Sequence, residues 1–253
     1  VLLEGKKVLV TGASAGIGRA VAIGCAAHGA DVALNFARDV AGAESAVAEI
    51  ERLGRKAVAI QGDVAEPATA IDFVSRAVDA LGGVDVFVNN AGICPFHAFL
   101  DMPVETFERT MKVNLHGAYF MVQAAANQMV KQGRGGSIIA MSSISALVGG
   151  EYQTHYTPTK SGLLSLMQST AIALGKYRIR CNALLPGTIL TDINKDDLAD
   201  GEKRSYMEGR IPLGRLGQPE DLVGPTVFLA SGLAEYVTGA ALLVDGGAFV
   251  NLQ

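Results

Sequence analysis

Tyr156 and Lys160 stand four residues apart, so on a helix they share one face, and Ser143 lies thirteen residues before the tyrosine. These three residue types suit removal of a proton from an alcohol. A phenol with an ordinary pKa of about 10 is a poor base near neutrality. A neighbouring ammonium favours the phenolate and brings it into range. A serine hydroxyl can hold the substrate oxygen while the phenol oxygen takes its proton. Tyr152 does not compete, because Tyr156 rather than a lysine follows it by four. A lone Tyr-x-x-x-Lys arises often by chance, so its weight depends on what accompanies it.

A second group of residues suits phosphate binding. Thr11-Gly12-Ala13-Ser14-Ala15-Gly16-Ile17-Gly18 follows a short apolar run and opens an amphipathic stretch. Gly12 permits a tight turn, Gly16 lets the backbone approach a pyrophosphate, and Gly18 lets a helix pack closely on a sheet. The helix start then offers free N–H groups and a positive dipole end to phosphate oxygens.

The elements that must position these groups follow from periodicity. Short apolar runs predict strands over Lys7–Thr11, Asp31–Phe36, Lys56–Gln61, Val84–Asn89, Ser137–Met141, Ile179–Leu185 and Ala240–Val244. Between them, helices are expected over Gly16–His28, Ala41–Leu53, Pro67–Leu81, Val104–Lys131, His155–Lys176 and Glu220–Ser231. The strands are Val/Ile/Leu-rich rather than alternating with polar residues, which predicts burial on both faces. The fold class is therefore α/β: a single-domain, doubly wound parallel sheet of Rossmann type spanning 1–253, with about seven strands and helices on both faces. The charged stretch Thr191–Pro212 falls between a strand end and a helix. It is expected as a substrate lid, with Asp192, Asp196 and Asp197 solvated rather than forming an acid cluster.

Composition narrows the function. Of 253 residues, 49% are hydrophobic and 18% charged, enough for a large core. Lys+Arg 21 against Asp+Glu 25 gives a net charge of −4 with no basic cluster, which argues against nucleic acid. No apolar run reaches the ~20 residues of a membrane span, and no basic-then-apolar leader opens the chain. Cys25, Cys94 and Cys181 are odd in number and widely spaced, fitting reduced thiols and a cytoplasmic setting. His28, His97, His116 and His155 lack metal-ligand spacing, so no metal is expected. No G-x-S-x-G elbow points to a hydrolase.

The glycine spacing G-x-x-x-G-x-G, the run Asn89-Asn90-Ala91-Gly92 at a strand end, and Ser143 in register with Tyr156 and Lys160 together resemble the short-chain dehydrogenase/reductase family. The resemblance runs from Val8 to Gly247. It implies that Gly12, Ser14, Gly16, Ile17, Gly18, Asn90, Ala91 and Gly92 line a nicotinamide cofactor, with Asp63 and Val64 at its adenine. It further implies that Pro186, Gly187, Thr188, Ile189 and Thr191 lie at the nicotinamide, and that Tyr156 and Lys160 touch the cofactor too. Asn114 is implied as support for a proton relay through water, beside Ser143, Tyr156 and Lys160 as the catalytic set. Pro158 replaces the alanine of many members and leaves the helix entry to be settled.

The end of the second predicted strand reads Leu34-Asn35-Phe36-Ala37-Arg38, with no carboxylate at Phe36, where an NAD enzyme usually carries one. Arg38 can pair with a 2′-phosphate. NADP is therefore expected as the preferred cofactor and NAD as tolerated. Candidate substrate contacts are Phe99, Ser143, Ser145, Gln153, Tyr156, Thr191 and Asn194, with Cys94 and His97 close by. Their small polar character suits a sugar. The text around Ser142–Ser145 and Tyr156–Lys160 is similar to family members that oxidise C1 of a 6-deoxy aldose such as L-rhamnose to the lactone, with Phe99 against the methyl group. The alternatives are a 3-oxoacyl-[acyl-carrier-protein] reductase and, in another class, a non-catalytic nucleotide-binding regulatory protein. Family members are commonly tetramers, so a homotetramer is expected, with Ala171, Ile172 and Leu174 at a subunit contact.

Overall fold

A computed structural model describes residues 1–195 and 198–251. Asp196 and Asp197, part of the expected lid, lie outside the described residues. The chain runs β1 (Lys7–Val10), α1 (Gly16–Ala27), β2 (Asp31–Phe36), α2 (Val40–Arg52), β3 (Ala57–Gln61), α3 (Pro67–Leu81), β4 (Val86–Asn89) and α4 (Val104–Met111). It continues through α5 (Ala118–Gln132), β5 (Gly136–Met141), α6 (Tyr156–Leu174), β6 (Ile179–Pro186), α7 (Gly201–Gly209), α8 (Val223–Ala230) and β7 (Ala241–Val244).

The strands form one seven-stranded sheet in the order β3-β2-β1-β4-β5-β6-β7, every pair parallel. Alternate strand residues feed opposite layers. Leu9, Ala33, Ile138 and Ala183 pack with Phe73, Met121 and Met167 of α3, α5 and α6. Val8, Val10, Val32 and Leu34 pack with Val21, Ala46 and Val227 of α1, α2 and α8. That two-sided burial explains the apolar runs read from the sequence. The order reverses between β1 and β4, so a crevice opens at their C-terminal ends, and the glycine loop and Asn90 sit there.

Three elements differ from expectation. The stretch 104–131 is not one α-helix: Lys112–Gly117 is a π-helical turn between α4 and α5. Gly117 packs directly on the Val64 carbonyl, where any Cβ would overlap it, and Asn114 turns into the protein. Simple 3.6 periodicity could not show this widened turn. The charged segment 191–212 contains α7, because the Asp200 carboxylate caps it by accepting from the Glu202 and Lys203 amides. The helix predicted over Glu220–Ser231 begins with a 3₁₀ turn, Pro219–Leu222. Pro158 falls in the first turn of α6, where its missing N–H removes no helical hydrogen bond.

Candidate active site

The first turn of α6 is stapled to the end of β5. Ser142 Oγ donates to the Lys160 carbonyl at 2.7 Å, and Lys160 Nζ donates to the Met141 carbonyl at 2.9 Å. These bonds hold Lys160, which is 4% exposed, with Nζ 5.3 Å from the centroid of the Tyr156 ring. Ser143 caps the next turn, its Oγ accepting from the Ser145 amide at 3.0 Å, and its hydroxyl also reaches the Tyr156 phenol. The three residues read from spacing are thus brought together at one end of the sheet.

Their electrostatics differ from the expected ionised phenol. Burial raises the Tyr156 pKa and the Cys94 sulfur adds to the rise, while the hydrogen bond from Ser143 opposes it. Burial pushes Lys160 down to about 8. Enclosure dominates, so the phenol is held in its neutral form in the protein alone.

Asn114 is wholly buried, and its side chain clamps one residue. Oδ1 accepts from the Ile93 amide and Nδ2 donates to the Ile93 carbonyl, both at 2.8 Å, with a longer bond from Nδ2 to Thr159 Oγ1 at 3.3 Å. Both amide hydrogens are used within the protein, and Asn114 does not line the cavity. A Cβ built on Gly92 would lie 3.5 Å from both Asn114 Oδ1 and Lys160 Nζ, in ordinary contact, so Gly92 packs directly beside the clamp and the lysine.

A continuous cavity of about 960 Å³ runs from these residues along the strand ends. Its far half is the glycine loop. Gly12 has φ +62, and a Cβ there would stand 2.9 Å from Ala91 Cα. Gly18 carries no side chain because Gly12 O and Asn90 Nδ2 occupy that space. Asn90 locks the loop by donating to Thr11 O and Gly12 O, both at 3.0 Å. Ala15 begins α1 without a side-chain cap and no acid lies in the first turn, so uncapped amides meet the cavity. Free helix-start donors, a backbone cradle that Cβ atoms would fill and a long crevice fit a dinucleotide.

Of the residues expected at the cofactor, Gly12, Ser14, Gly16, Ile17, Arg38, Val64, Asn90, Ala91, Gly92, Tyr156, Lys160, Pro186, Gly187, Thr188, Ile189 and Thr191 line the cavity. Gly18 supports it from behind, and Asp63 does not reach it. Arg38 is exposed, and Asp39 beside it lines the cavity and caps α2 through Gly42 N at 2.9 Å. Asn35 is buried, its amide donating to the Gly62 carbonyl at 3.0 Å.

At the substrate end Ser143, Ser145, Gln153, Tyr156, Thr191, Asn194 and Cys94 line the cavity. Ser145 Oγ donates to Gln153 Oε1 at 3.3 Å, and Gln153 Nε2 donates to Cys94 Sγ at 3.5 Å. Asn194 spends its amide on its own loop, accepting from Thr191 N and donating to Ile189 O. Phe99 is 70% exposed and neither it nor His97 lines the cavity; Phe96 does. The segment lacks regular structure, so no periodicity fixed which side chain turns inward. Sequence reasoning also missed Leu198, Met207, Ile211 and Phe249, brought in by α7 with its flanks and by the segment after β7. The glycine pair Gly246-Gly247 before Phe249 was the available signal: both have positive φ and turn the chain back over Ile211 and Pro212.

Comparison with known proteins places this geometry among relatives. A family model described as enoyl-(acyl carrier protein) reductase matches residues 12–248. An L-rhamnose 1-dehydrogenase (NAD(P)(+)) of a Sphingomonas species is 76% identical over 252 residues, covering 100% of this chain and 99% of its own. The enzyme of the same name from Azotobacter vinelandii is 64% identical over 255 residues, covering 100% of both. The crystal structure of a short-chain type dehydrogenase/reductase from Mycobacterium marinum superposes with a TM-score of 0.92 at 38% identity, over 97% of this chain and 96% of that one.

Proposed function

The chain belongs to the short-chain dehydrogenase/reductase family, and on that premise we propose that it oxidises C1 of L-rhamnose, or a closely related aldose, to the lactone with NADP or NAD. The observation that carries the reading is the full-length likeness to two L-rhamnose 1-dehydrogenases, joined to a cavity whose catalytic end is lined by small polar groups. A non-catalytic nucleotide binder would have no use for a buried lysine stapled beside a tyrosine and a serine.

In this reading Ser143 holds the C1 oxygen and Tyr156 takes its proton. A bound oxidised nicotinamide supplies the hydride acceptor, and its positive ring adds to Lys160 in favouring the phenolate. Lys160 keeps its ammonium directed by the Met141 carbonyl, and Asn114 fixes the Ile93 backbone behind it. Ser145, Gln153 and Cys94 form a polar wall for sugar hydroxyls. Phe96 and Phe249 replace Phe99 as candidates for the apolar wall at the methyl group.

Arg38 favours the 2′-phosphate of NADP, while the Asp39 carboxylate next to it opposes that charge, which supports NADP preference with NAD tolerated. The segment 191–212 serves as a lid over the substrate. We place the enzyme in the cytoplasm as a homotetramer. Ile172, 86% exposed on α6, suits a subunit contact, whereas Ala171 belongs to the core and Leu174 packs against it.

The test is formation of reduced nicotinamide across an aldose panel with both cofactors. L-Rhamnose is expected to give the highest kcat/KM. Reduction of acetoacetyl thioesters with no activity on any aldose would overturn the reading in favour of an acyl-carrier reductase.

A further inference from the structure

The segment after β7 folds back over the lid, and one carboxylate sets its course. Asp245 Oδ1 accepts from the Gly247 amide at 2.9 Å, and Oδ2 accepts from the Phe249 amide at 2.8 Å. Bonds to an ionised acceptor are roughly twice as strong as neutral ones. Gly246 and Gly247 take φ of +64 and +89, and a Cβ on Gly246 would stand 2.6 Å from Ile211 Cγ2, so this tail lies directly against the end of the lid. Gly246 O accepts from Leu213 N at 3.1 Å, and Asn251 Nδ2 donates to Arg210 O at 2.8 Å. Ala248 packs on the apolar cluster around Ile211, as does Met207 of α7. At its start the tail abuts the turn after β6: a Cβ on Gly187 would lie 2.8 Å from Asp245 Cα. Phe249 and Asn251 line the cavity, and Asp245 does not.

We propose that Asp245 is a positioning residue for the substrate end of the cavity. Its two bonds hold the tail that carries Phe249 into the cavity wall and braces α7 with the loop after it. The proposal rests on the reading of that segment as a lid over the substrate. Ser143, Tyr156 and Lys160 stand apart from this brace, because they are fixed at the junction of β5 and α6 by Ser142 and the Met141 carbonyl. Loss of the Asp245 carboxylate therefore loosens the wall around the substrate and leaves the proton-transfer groups in place. An interaction of that kind contributes equally to ground state and transition state, so it is read in KM and not in kcat.

The experiment compares the whole protein with Asp245→Ala and Asp245→Asn in two ways. Steady-state rates with L-rhamnose and NADP are expected to give Asp245→Ala a KM about five- to fiftyfold above wild type, with kcat within about threefold. Hydrogen exchange of the NADPH-bound proteins, followed by mass spectrometry, is expected to quicken at least about tenfold over 201–213 and 246–250 in Asp245→Ala and to stay unchanged in β1, β4 and β5. Asp245→Asn keeps one acceptor oxygen of the two and is expected to fall between wild type and Asp245→Ala in both readouts. It also decides the matter should Asp245→Ala fail to fold.

A KM unchanged in both variants, a kcat that falls while KM stays constant, or exchange over 201–213 that matches wild type would overturn the proposal. Wild-type protein inactive on every aldose would overturn the substrate reading instead, and the exchange rates would still decide whether Asp245 holds the tail and the lid.

Discussion

Replacing Lys160 by methionine tests whether the buried ammonium strains the fold. Burial holds its pKa near about 8, against 10.5 for the free group. The unfolded chain then binds more protons than the folded one between those values, so this group destabilises the fold most below pH 8 and the penalty fades as pH rises. A gap of this size amounts to about 3 kcal/mol near neutrality, falling to about 1 kcal/mol near pH 9.5. Lys160→Met removes the whole penalty and leaves the Met141 carbonyl without its donor, which costs about 1–3 kcal/mol. Near pH 7 the variant should therefore be as stable as wild type or slightly more so. By about pH 9.5 wild type should gain about 2 kcal/mol relative to it. Urea unfolding of both proteins at the two pH values reads the difference directly. Burial also raises Cys25 to about 12 and Cys181 to about 11, so both thiols ionise first in the unfolded chain; that effect is common to both proteins and cancels. A pH-independent difference, or a variant several kcal/mol less stable at neutrality, would refute the reasoning.

Other perturbations follow from the same geometry. Asn114→Leu removes the partners of the half-buried Ile93 N–H and C=O, and urea unfolding should record a loss of about 1–3 kcal/mol. Asp39→Asn keeps a cap for α2 but removes the charge opposing the 2′-phosphate, so the NADP-to-NAD ratio of kcat/KM should rise severalfold, whereas Arg38→Ala should lower it. Tyr156→Phe should cut kcat by about 10²–10⁴ while calorimetry finds NADPH affinity within about twofold of wild type. Phe99→Ala should leave the KM for L-rhamnose unchanged, because that ring faces solvent.

The parallel sheet, its number of strands and the catalytic trio were legible because each rests on a local pattern: apolar runs buried on two faces, glycines at a strand-to-helix turn, and Tyr156 and Lys160 one helical turn apart. What escaped notice depends on tertiary context. The π turn at 112–117 follows from the Gly117 contact with Val64, two residues far apart in sequence. The inward turn of Phe96 rather than Phe99 is set by an irregular loop tied down through His97 N and Tyr152 O. Asp63 was placed at the adenine by the family resemblance, and only coordinates show its carboxylate also paired with Arg109. The raised Tyr156 pKa likewise depends on how tightly the phenol is enclosed, which no spacing records.

L-Rhamnose carrying deuterium at C1 tests the central claim most directly. Turnover with NADP followed by mass spectrometry should find the label on the reduced nicotinamide and an unlabelled lactone, with both products formed at least about a hundredfold more slowly by Tyr156→Phe. Unlabelled reduced cofactor formed at the wild-type rate, or label transfer that keeps the wild-type rate after loss of the phenol hydroxyl, would contradict it.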